Sequence, residues 1–111
     1  MKTPLYSLVS YPSVYDPSED SFLLLDALES VHQQLFNLDP LFILELGCGS
    51  GIVSTFVSKL LAPLTPIIIS TDINPEACKC TLNTSNLNSI KNIHIVNGPG
   101  LSFLSCTSLN H

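Results

Sequence analysis

One acid and three glycines at alternating positions form the stretch most able to do chemistry. Residues 45–51 read ELGCGSG, so Glu45 stands two positions before Gly47, and Gly49 and Gly51 follow. An apolar run, 41–44, precedes this stretch and a helix-like segment, 52–61, follows it. Strand, glycine turn and helix is the arrangement of a nucleotide-type site, where a ligand can approach backbone that carries no Cβ. The acid favours a ligand with an ammonium group.

The glycine spacing argues against a dinucleotide site. A G-x-G-x-x-G fingerprint needs glycine at position 52, where the sequence has Ile52. A nucleotide-binding oxidoreductase fragment is therefore a weaker interpretation than a site for a ligand with an ammonium group. Two structural alternatives also remain: Glu45 could cap the next helix, and the glycines could form only a sharp turn. The intervening Cys48 and Ser50 are assigned no chemistry, because no base that could activate the thiol is identifiable.

A second acid, Asp72, ends the next apolar run, 21 residues after Gly51. An acid at this place binds ribose hydroxyls in the dinucleotide version of this architecture. The alternative is that Asp72 forms an Asx-turn or caps the next helix, although Asn74 can already do that. We favour a ligand-binding role for Asp72.

The elements that position these residues alternate along the chain. Residues 1–15 are predicted to be irregular, followed by a helix to about Phe36 in which Asp16 is the N-cap and Pro17 the first position. Strands are predicted at 42–46, buried on both faces, at 67–71 and at 92–96. Helices are predicted at 52–61 and from Pro75 to about Ser85. The order α-β-α-β-α-β predicts an α/β fold, the N-terminal half of a doubly wound, Rossmann-like parallel sheet.

Three ordered motifs give the sequence a family resemblance. The glycine stretch, 45–51, resembles motif I of class I methyltransferases, which bind S-adenosylmethionine. Residues 14–29 (VYDPSEDSFLLLDALE) resemble the N-terminal signature of eukaryotic and archaeal HemK-type glutamine methyltransferases. Residues 70–77 (STDINPEA) resemble the second cofactor motif of that family. The resemblance implies a partial S-adenosylmethionine-binding methyltransferase domain over residues 16–97.

The resemblance assigns cofactor-binding roles to eight residues. Glu45 would receive the methionine ammonium, Asp72 the ribose hydroxyls, and Ile73 would pack against the adenine. Asp20 and Ser21, in the first turn of the first helix, would close over the methionine end. Tyr15 is left open between an aromatic lid and a core residue. The predicted cofactor site comprises Asp20, Ser21, Glu45, Gly47, Gly49, Gly51, Asp72 and Ile73.

The family's substrate motif is missing from the sequence. The family modifies a glutamine of a translation release factor and holds the amide with an (Asn/Asp)-Pro-Pro-Tyr motif, which does not occur in these 111 residues. The acid expected after the third strand is also absent, since Asn97 and Gly98 stand there. We therefore assign no catalytic residue and expect a truncated, catalytically incomplete form. The alternative is a non-catalytic isoform that binds cofactor or the family's small zinc-binding activator, which adds a strand beside the third strand.

Residues 98–111 form an uncharged tail that departs from the family pattern. We expect this tail to be disordered, and interpret it as the product of a frameshift, an alternative splice end or a mispredicted exon. If the sheet ends at the third strand, residues 42–44 become an unpaired apolar edge.

Composition limits the remaining functions. The net charge is −5 with four lysines and no arginine, so direct nucleic-acid binding is not expected. Cys48, Cys78, Cys80 and Cys106 lack metal-ligand spacing, so no metal site is expected. No apolar run reaches membrane-spanning length, and no signal peptide is recognisable. We expect a cytoplasmic protein without membrane contact, with a nuclear location as an alternative.

Overall fold

The structure, a computed structural model, describes residues 1–99. Its elements are α1 (Glu19–Ser30), α2 (His32–Leu38), β1 (Phe42–Leu46), α3 (Ile52–Leu61), β2 (Ile67–Asp72), α4 (Pro75–Leu87) and β3 (Ile93–Asn97). The three strands form a parallel sheet in the order β1-β2-β3. The predicted α/β class is confirmed. Apart from Gly98 and Pro99, the predicted tail lies outside the described residues. Within residues 1–99, no helix is long and apolar enough to cross a membrane.

The helices pack on one face of this sheet. Because α3 and α4 connect successive parallel strands, right-handed crossovers bring both to the same side, and the two helices contact each other. Ile68 of β2 is fully buried there against Val57 and Leu61 of α3. Helices α1 and α2 contact α3, and their residues Leu28, Leu35 and Phe36 pack against the same cluster as Ile68. A second cluster joins Leu25 of α1 to three buried residues of α3, which are Ile52, Phe56 and Leu60.

The beginning of the first helix differs from the prediction. The helix begins at Glu19 with Ser18 as its N-cap, and the backbone N–H of Ser18 donates to Ser21 Oγ at 3.4 Å. Asp16 and Pro17 therefore precede the helix instead of starting it. The predicted single helix is also interrupted at Val31, so that α1 ends at Ser30 and the short α2 continues to Leu38. Asp16 and Ser18 are both good N-cap types, and local sequence does not rank them.

The prediction that β1 is buried on both faces is wrong. Side chains of a strand alternate between faces, and Ile43 and Glu45 point toward the helices. Phe42, Leu44 and Leu46 point to the opposite face, where Phe42 is 65% exposed. In addition, β1 is an edge of the sheet that residues 1–99 form. An apolar run reveals the preference of a strand for burial but does not reveal which neighbours cover it.

The segment before α1 crosses α4 and ends beside the glycine turn. Val14 is buried against Ala77 and Cys80 of α4. Nearer the N-terminus, the Asn88 side chain accepts from the Leu5 N–H at 3.0 Å and donates to the Leu5 carbonyl at 2.8 Å. These contacts hold residues 15–18 next to the end of β1.

Candidate functional site

The turn between β1 and α3 depends on three glycines with left-handed backbone. The φ angles are +75° at Gly47, +53° at Gly49 and +85° at Gly51. A Cβ at Gly51 would lie 2.7 Å from the Cα of Thr81, so this glycine also permits the close approach of α4. No heavy atom lies within 4 Å of a Cβ built at Gly47 or Gly49. Gly51 thus has a packing role, whereas the first two glycines leave open space beside the backbone.

Hydroxyl groups of α4 and the end of β2 fix the turn in place. The Thr71 carbonyl accepts from the N–H groups of Gly47 and Cys48, at 2.8 and 2.9 Å. Thr81 Oγ1 donates to the Gly49 carbonyl at 3.1 Å, and Thr84 Oγ1 donates to the Ser50 carbonyl at 2.6 Å. The turn is therefore held by its own fold and does not require a ligand to order it.

Glu45, at the end of β1, accepts a hydrogen bond from a buried serine. Ser54 Oγ, on the first turn of α3, donates to Glu45 Oε1 and lies 2.6 Å from Ser70 Oγ on β2. Glu45 and Ser70 are paired residues of neighbouring strands, so their side chains share the face that α3 covers. The backbone N–H of Ser54 also stabilises the Glu45 carboxylate, and among residues 1–99 Ser54 is the side chain that donates to it.

The surroundings of Glu45 favour its protonated form. Burial raises the pKa of Glu45 from 4.5 to about 7, hydrogen bonds from Ser54 lower it, and the nearby Asp72 raises it. No lysine lines the cavity beside Glu45, and the chain has no arginine. A cationic ligand group would therefore supply a countercharge that the protein itself does not provide.

Asp72, at the end of β2, is tied to backbone on both sides. Its Oδ2 accepts from the Gly49 N–H at 3.1 Å, and its Oδ1 accepts from the Asn74 N–H at 2.9 Å. The second bond is the Asx-turn that the sequence left as an alternative to ligand binding. Asn74 in turn caps α4 through the Glu76 N–H at 3.0 Å. The carboxylate of Asp72 thus has a structural role, and its orientation is fixed at the crevice.

A cavity of about 220 Å³ lies where these elements meet. It is lined by Glu45 and by residues 47–50 and 52–53 on one side, and by residues 15–18 and Ser21 on the other. Its position is the carboxyl end of β1, where open α/β sheets bind their ligands. Of the eight predicted site residues, the cavity brings together Ser21, Glu45, Gly47 and Gly49.

Several known proteins resemble the chain, although no protein-family profile matches it. Methyltransferase HEMK2 of Mus musculus is 45% identical over 91 residues, which cover 79% of this chain and 41% of that protein. The eRF1 methyltransferase catalytic subunit mtq2 of Schizosaccharomyces pombe is 36% identical over 92 residues, 77% of this chain and 40% of that protein. The chain spans about two fifths of the length of these curated relatives. It is a homologue of the HemK-type methyltransferases.

Solved structures agree on the fold. A ribosomal protein L11 methylase from Lactobacillus delbrueckii superposes with a TM-score of 0.55 at 25% identity, over 71% of this chain and 39% of that one. An O-methyltransferase structure from Klebsiella pneumoniae superposes with a TM-score of 0.60 at 17% identity, over 92% of this chain and 42% of that one. The predicted resemblance and the Rossmann-like class I methyltransferase fold are confirmed. S-adenosylmethionine is the cofactor that these methyltransferases indicate.

The other predicted site residues lie outside the cavity. Asp20 is exposed on α1 and does not line it. Ile73 follows β2 and is 74% exposed, while Asp72 reaches the cavity only through its bond to Gly49. Tyr15, left open from the sequence, is 94% exposed at the rim and is not a core residue. The cavity therefore encloses the Glu45 end of the site, and the Asp72 end is an open surface.

The cysteines of the site offer no nucleophile. Burial raises the pKa of the Cys48 thiol to about 12, so the reactive thiolate does not form at neutral pH. Burial also raises the pKa of the thiols of Cys78 and Cys80. Among residues 1–99, no group of His, Cys, Asp and Glu side chains could hold a metal ion. Cys106 lies outside the described residues.

Two features of the site were missed from the sequence. One is the pair Ser54 and Ser70. The sequence feature that could have indicated them is a small polar residue at a buried position of an otherwise apolar helix or strand. The other is Asn97, whose amide donates to the carbonyls of Asp72 and Ile73 at 3.0 and 3.1 Å and so holds the loop after β2. Asn97 stands where the family pattern led us to expect an acid.

Proposed function

We propose that this chain contains the cofactor half of an S-adenosylmethionine-dependent protein methyltransferase. The observation that carries the proposal is the meeting of a left-handed glycine turn with two carboxylates, Glu45 and Asp72, at the ends of neighbouring strands. The methionine ammonium would bind the carboxylate of Glu45, and the amino-acid carboxylate would lie near the N-terminus of α3. The adenosyl group would extend across Asp72 and the exposed Ile73.

The residues present fit this cofactor. The open space beside Gly47 and Gly49 permits the close approach of a ligand to backbone, which a Cβ would restrict. Glu45 lacks a protein cation, so an ammonium group would relieve its cost of ionisation. When bound, S-adenosylmethionine supplies an activated methyl group, and the chain's own residues bind and orient it.

The natural substrate in this proposal is a translation release factor, in line with the name of the Schizosaccharomyces pombe relative, and the family resemblance implies that the methylated residue is a glutamine. An amide nitrogen is a poor nucleophile, so methyl transfer requires it to be positioned in line and desolvated. The motif that does this in the family, (Asn/Asp)-Pro-Pro-Tyr, is absent from these 111 residues. We therefore propose that the 111-residue chain binds the cofactor but does not transfer the methyl group by itself.

Titration calorimetry with S-adenosylhomocysteine tests the proposed binding. The wild-type chain should bind, and a Glu45→Ala, Asp72→Ala double variant should lose at least about tenfold in affinity, since each loss of a charged hydrogen bond is worth about 1.5–3 kcal/mol. A Glu19→Ala, Asp26→Ala variant removes the same charge from exposed positions of α1 and should bind like wild type. Absence of binding by folded wild-type chain would reject the proposal.

A second candidate function is binding of the small zinc-binding activator of the family. The supporting observation is that β3 lies at an edge of the sheet formed by residues 1–99, where a partner strand can pair with it. Co-expression and co-purification with the activator test this proposal. The Glu45→Ala, Asp72→Ala variant keeps β3 and should still be captured, whereas failure of the wild-type chain to bind would reject the candidate.

A further inference from the structure

A buried chain of hydroxyl groups leads from β2 through α3 to Glu45. Ser70 Oγ and Ser54 Oγ are 2.6 Å apart, and Ser54 Oγ donates to Glu45 Oε1. Ser54 is 2% exposed and Ser70 is fully buried. These hydrogen bonds therefore join β1, α3 and β2 through two buried serine side chains.

The direction of the hydrogen bonds in this chain follows from counting protons. A hydroxyl has one proton to donate, and an ionised carboxylate can only accept. When Glu45 is ionised, Ser54 must donate to it, and Ser70 must then donate to Ser54. Each bond polarises the next, so the pair stabilises the negative charge on Glu45 more than one hydroxyl would. A protonated Glu45 can instead donate to Ser54, and Ser54 then donates to Ser70, so the direction of both hydrogen bonds is reversed.

We propose that Ser54 and Ser70 are positioning residues that orient Glu45 and favour its ionised form for the ammonium group of the cofactor. The identity of the ligand rests on the proposed function, whereas the effect on Glu45 itself does not. By holding Oε1 against α3, the Ser54 hydroxyl fixes the orientation of the carboxylate, and Ser70 in turn holds the Ser54 hydroxyl. The hydrogen bonds from Ser54 offset part of the cost that burial imposes on the carboxylate.

Other titratable groups surround Glu45 and bear on its ionisation. Asp72 on β2 and Cys48 in the turn lie near it, and Asp16, in the segment before α1, lines the same cavity. The charge of Asp72 raises the pKa of Glu45, and Cys48, whose pKa is raised to about 12, stays neutral at physiological pH. The groups that lower the pKa of Glu45 are the hydroxyl and the backbone N–H of Ser54, and Ser70 contacts the Ser54 hydroxyl from β2.

Carbon NMR titration of the Glu45 carboxyl in the ligand-free 111-residue chain tests the proposal. The wild-type midpoint should lie near 7, and Ser54→Ala should raise it by about one pH unit. Ser70→Ala should raise it less, because that hydroxyl acts through Ser54, and Ser70→Thr should restore it. The control is Ser58→Ala, one turn along α3, which removes a buried hydroxyl that donates to Asn92 Oδ1 at 2.7 Å. It should leave the midpoint unchanged.

Calorimetry with S-adenosylhomocysteine adds the functional readout. Ser54→Ala should weaken binding about fivefold at pH 7, because the ionised fraction of Glu45 falls from about one half to about one tenth, and recover most of this loss above pH 8, whereas Ser58→Ala should bind like wild type. If wild type does not bind but the NMR midpoints move as described, the proposed function fails and the positioning role stands. If the alanine variants of Ser54 and Ser70 remain folded and leave the midpoint unmoved, the positioning role is overturned. Should Ser54→Ala unfold, Ser70→Ala carries the test.

Discussion

The carboxyl ends of β1 and β2 each carry one acid, and the two acids are held in different ways. Asp72 accepts two backbone N–H groups, one from the glycine turn and one from the start of α4. Glu45 accepts from a serine hydroxyl in a buried setting, which raises its pKa to about 7. Asp72 therefore stabilises the fold, whereas an ionised Glu45 destabilises it. Asp72 thus has a structural reason for its position, whereas the ionisation of Glu45 carries a cost that a cationic ligand would offset.

The glycine turn joins the two ends, and its disruption should have the largest effect. Gly51→Ala adds a Cβ 2.7 Å from the Thr81 backbone at a φ of +85°, so we expect a loss of about 3 kcal/mol or more in the free energy of unfolding. Urea denaturation measures the loss. Gly47→Ala is the matched control, because its φ is also positive but its Cβ meets no atom within 4 Å. A loss of about 1 kcal/mol is expected there, and equal losses for both variants would contradict the packing role of Gly51.

Removing the charge of Glu45 should stabilise the chain above neutral pH. Between pH 4.5 and about 7 the folded chain holds a proton on Glu45 that the unfolded chain has released. Stability therefore falls as pH rises through this range, by up to about 3 kcal/mol. Glu45→Gln should abolish this fall and be the more stable protein at pH 8. Urea midpoints at pH 5 and pH 8 measure it, and a parallel pH dependence in both proteins would refute the cost assigned to Glu45.

Removing the Asp72 carboxylate should lower the stability of the chain, whereas removing the charge of Glu45 should raise it. Asp72→Ala leaves the N–H groups of Gly49 and Asn74 without their acceptor, so we expect a loss of about 2 kcal/mol at pH 8. Asp72→Asn keeps one acceptor oxygen and should lose less. Thermal unfolding followed by circular dichroism compares the three proteins. If Asp72→Ala were as stable as wild type, the claim that Asp72 stabilises the fold would be contradicted.

The affinity for cofactor should depend on pH through Glu45. Because an ammonium group prefers the ionised carboxylate, binding of S-adenosylhomocysteine should weaken by up to about tenfold per pH unit below 7 and become constant above it. Calorimetry in buffers of different ionisation enthalpy should show proton release on binding at pH 6. The Glu45→Gln variant should have a low affinity at both pH 6 and pH 8. A constant wild-type affinity from pH 6 to pH 8 would contradict the role assigned to Glu45.

The order of elements was largely predictable because glycine and proline residues in the sequence mark where helices begin and end. Gly51 and Pro75 mark helix starts that the structure places at Ile52 and at Pro75. The start of α1 was not predictable, since Asp16 and Ser18 offer competing caps. The exposure of Phe42 depends on what covers the sheet, which a strand pattern does not contain.

The candidate site was predictable only in part. Residue types and spacing indicated Glu45 and the glycines, because an acid and left-handed turns are visible locally. The bonds from Asp72 to Gly49 and from Ser70 through Ser54 to Glu45 join residues that are distant in sequence. They follow from the register of β1 against β2 and from the rotation of α3, which the sequence pattern does not specify.

Amide NMR mapping with S-adenosylhomocysteine tests the central claim, that the ends of β1 and β2 form the cofactor site. We predict that chemical-shift changes concentrate at Gly47, Gly49 and Ile73. The opposite end of the sheet provides an internal control, since a larger cavity of about 530 Å³ lies there, lined in part by Leu41 and Leu64. Changes confined to that end, or none in the folded chain, would contradict the account.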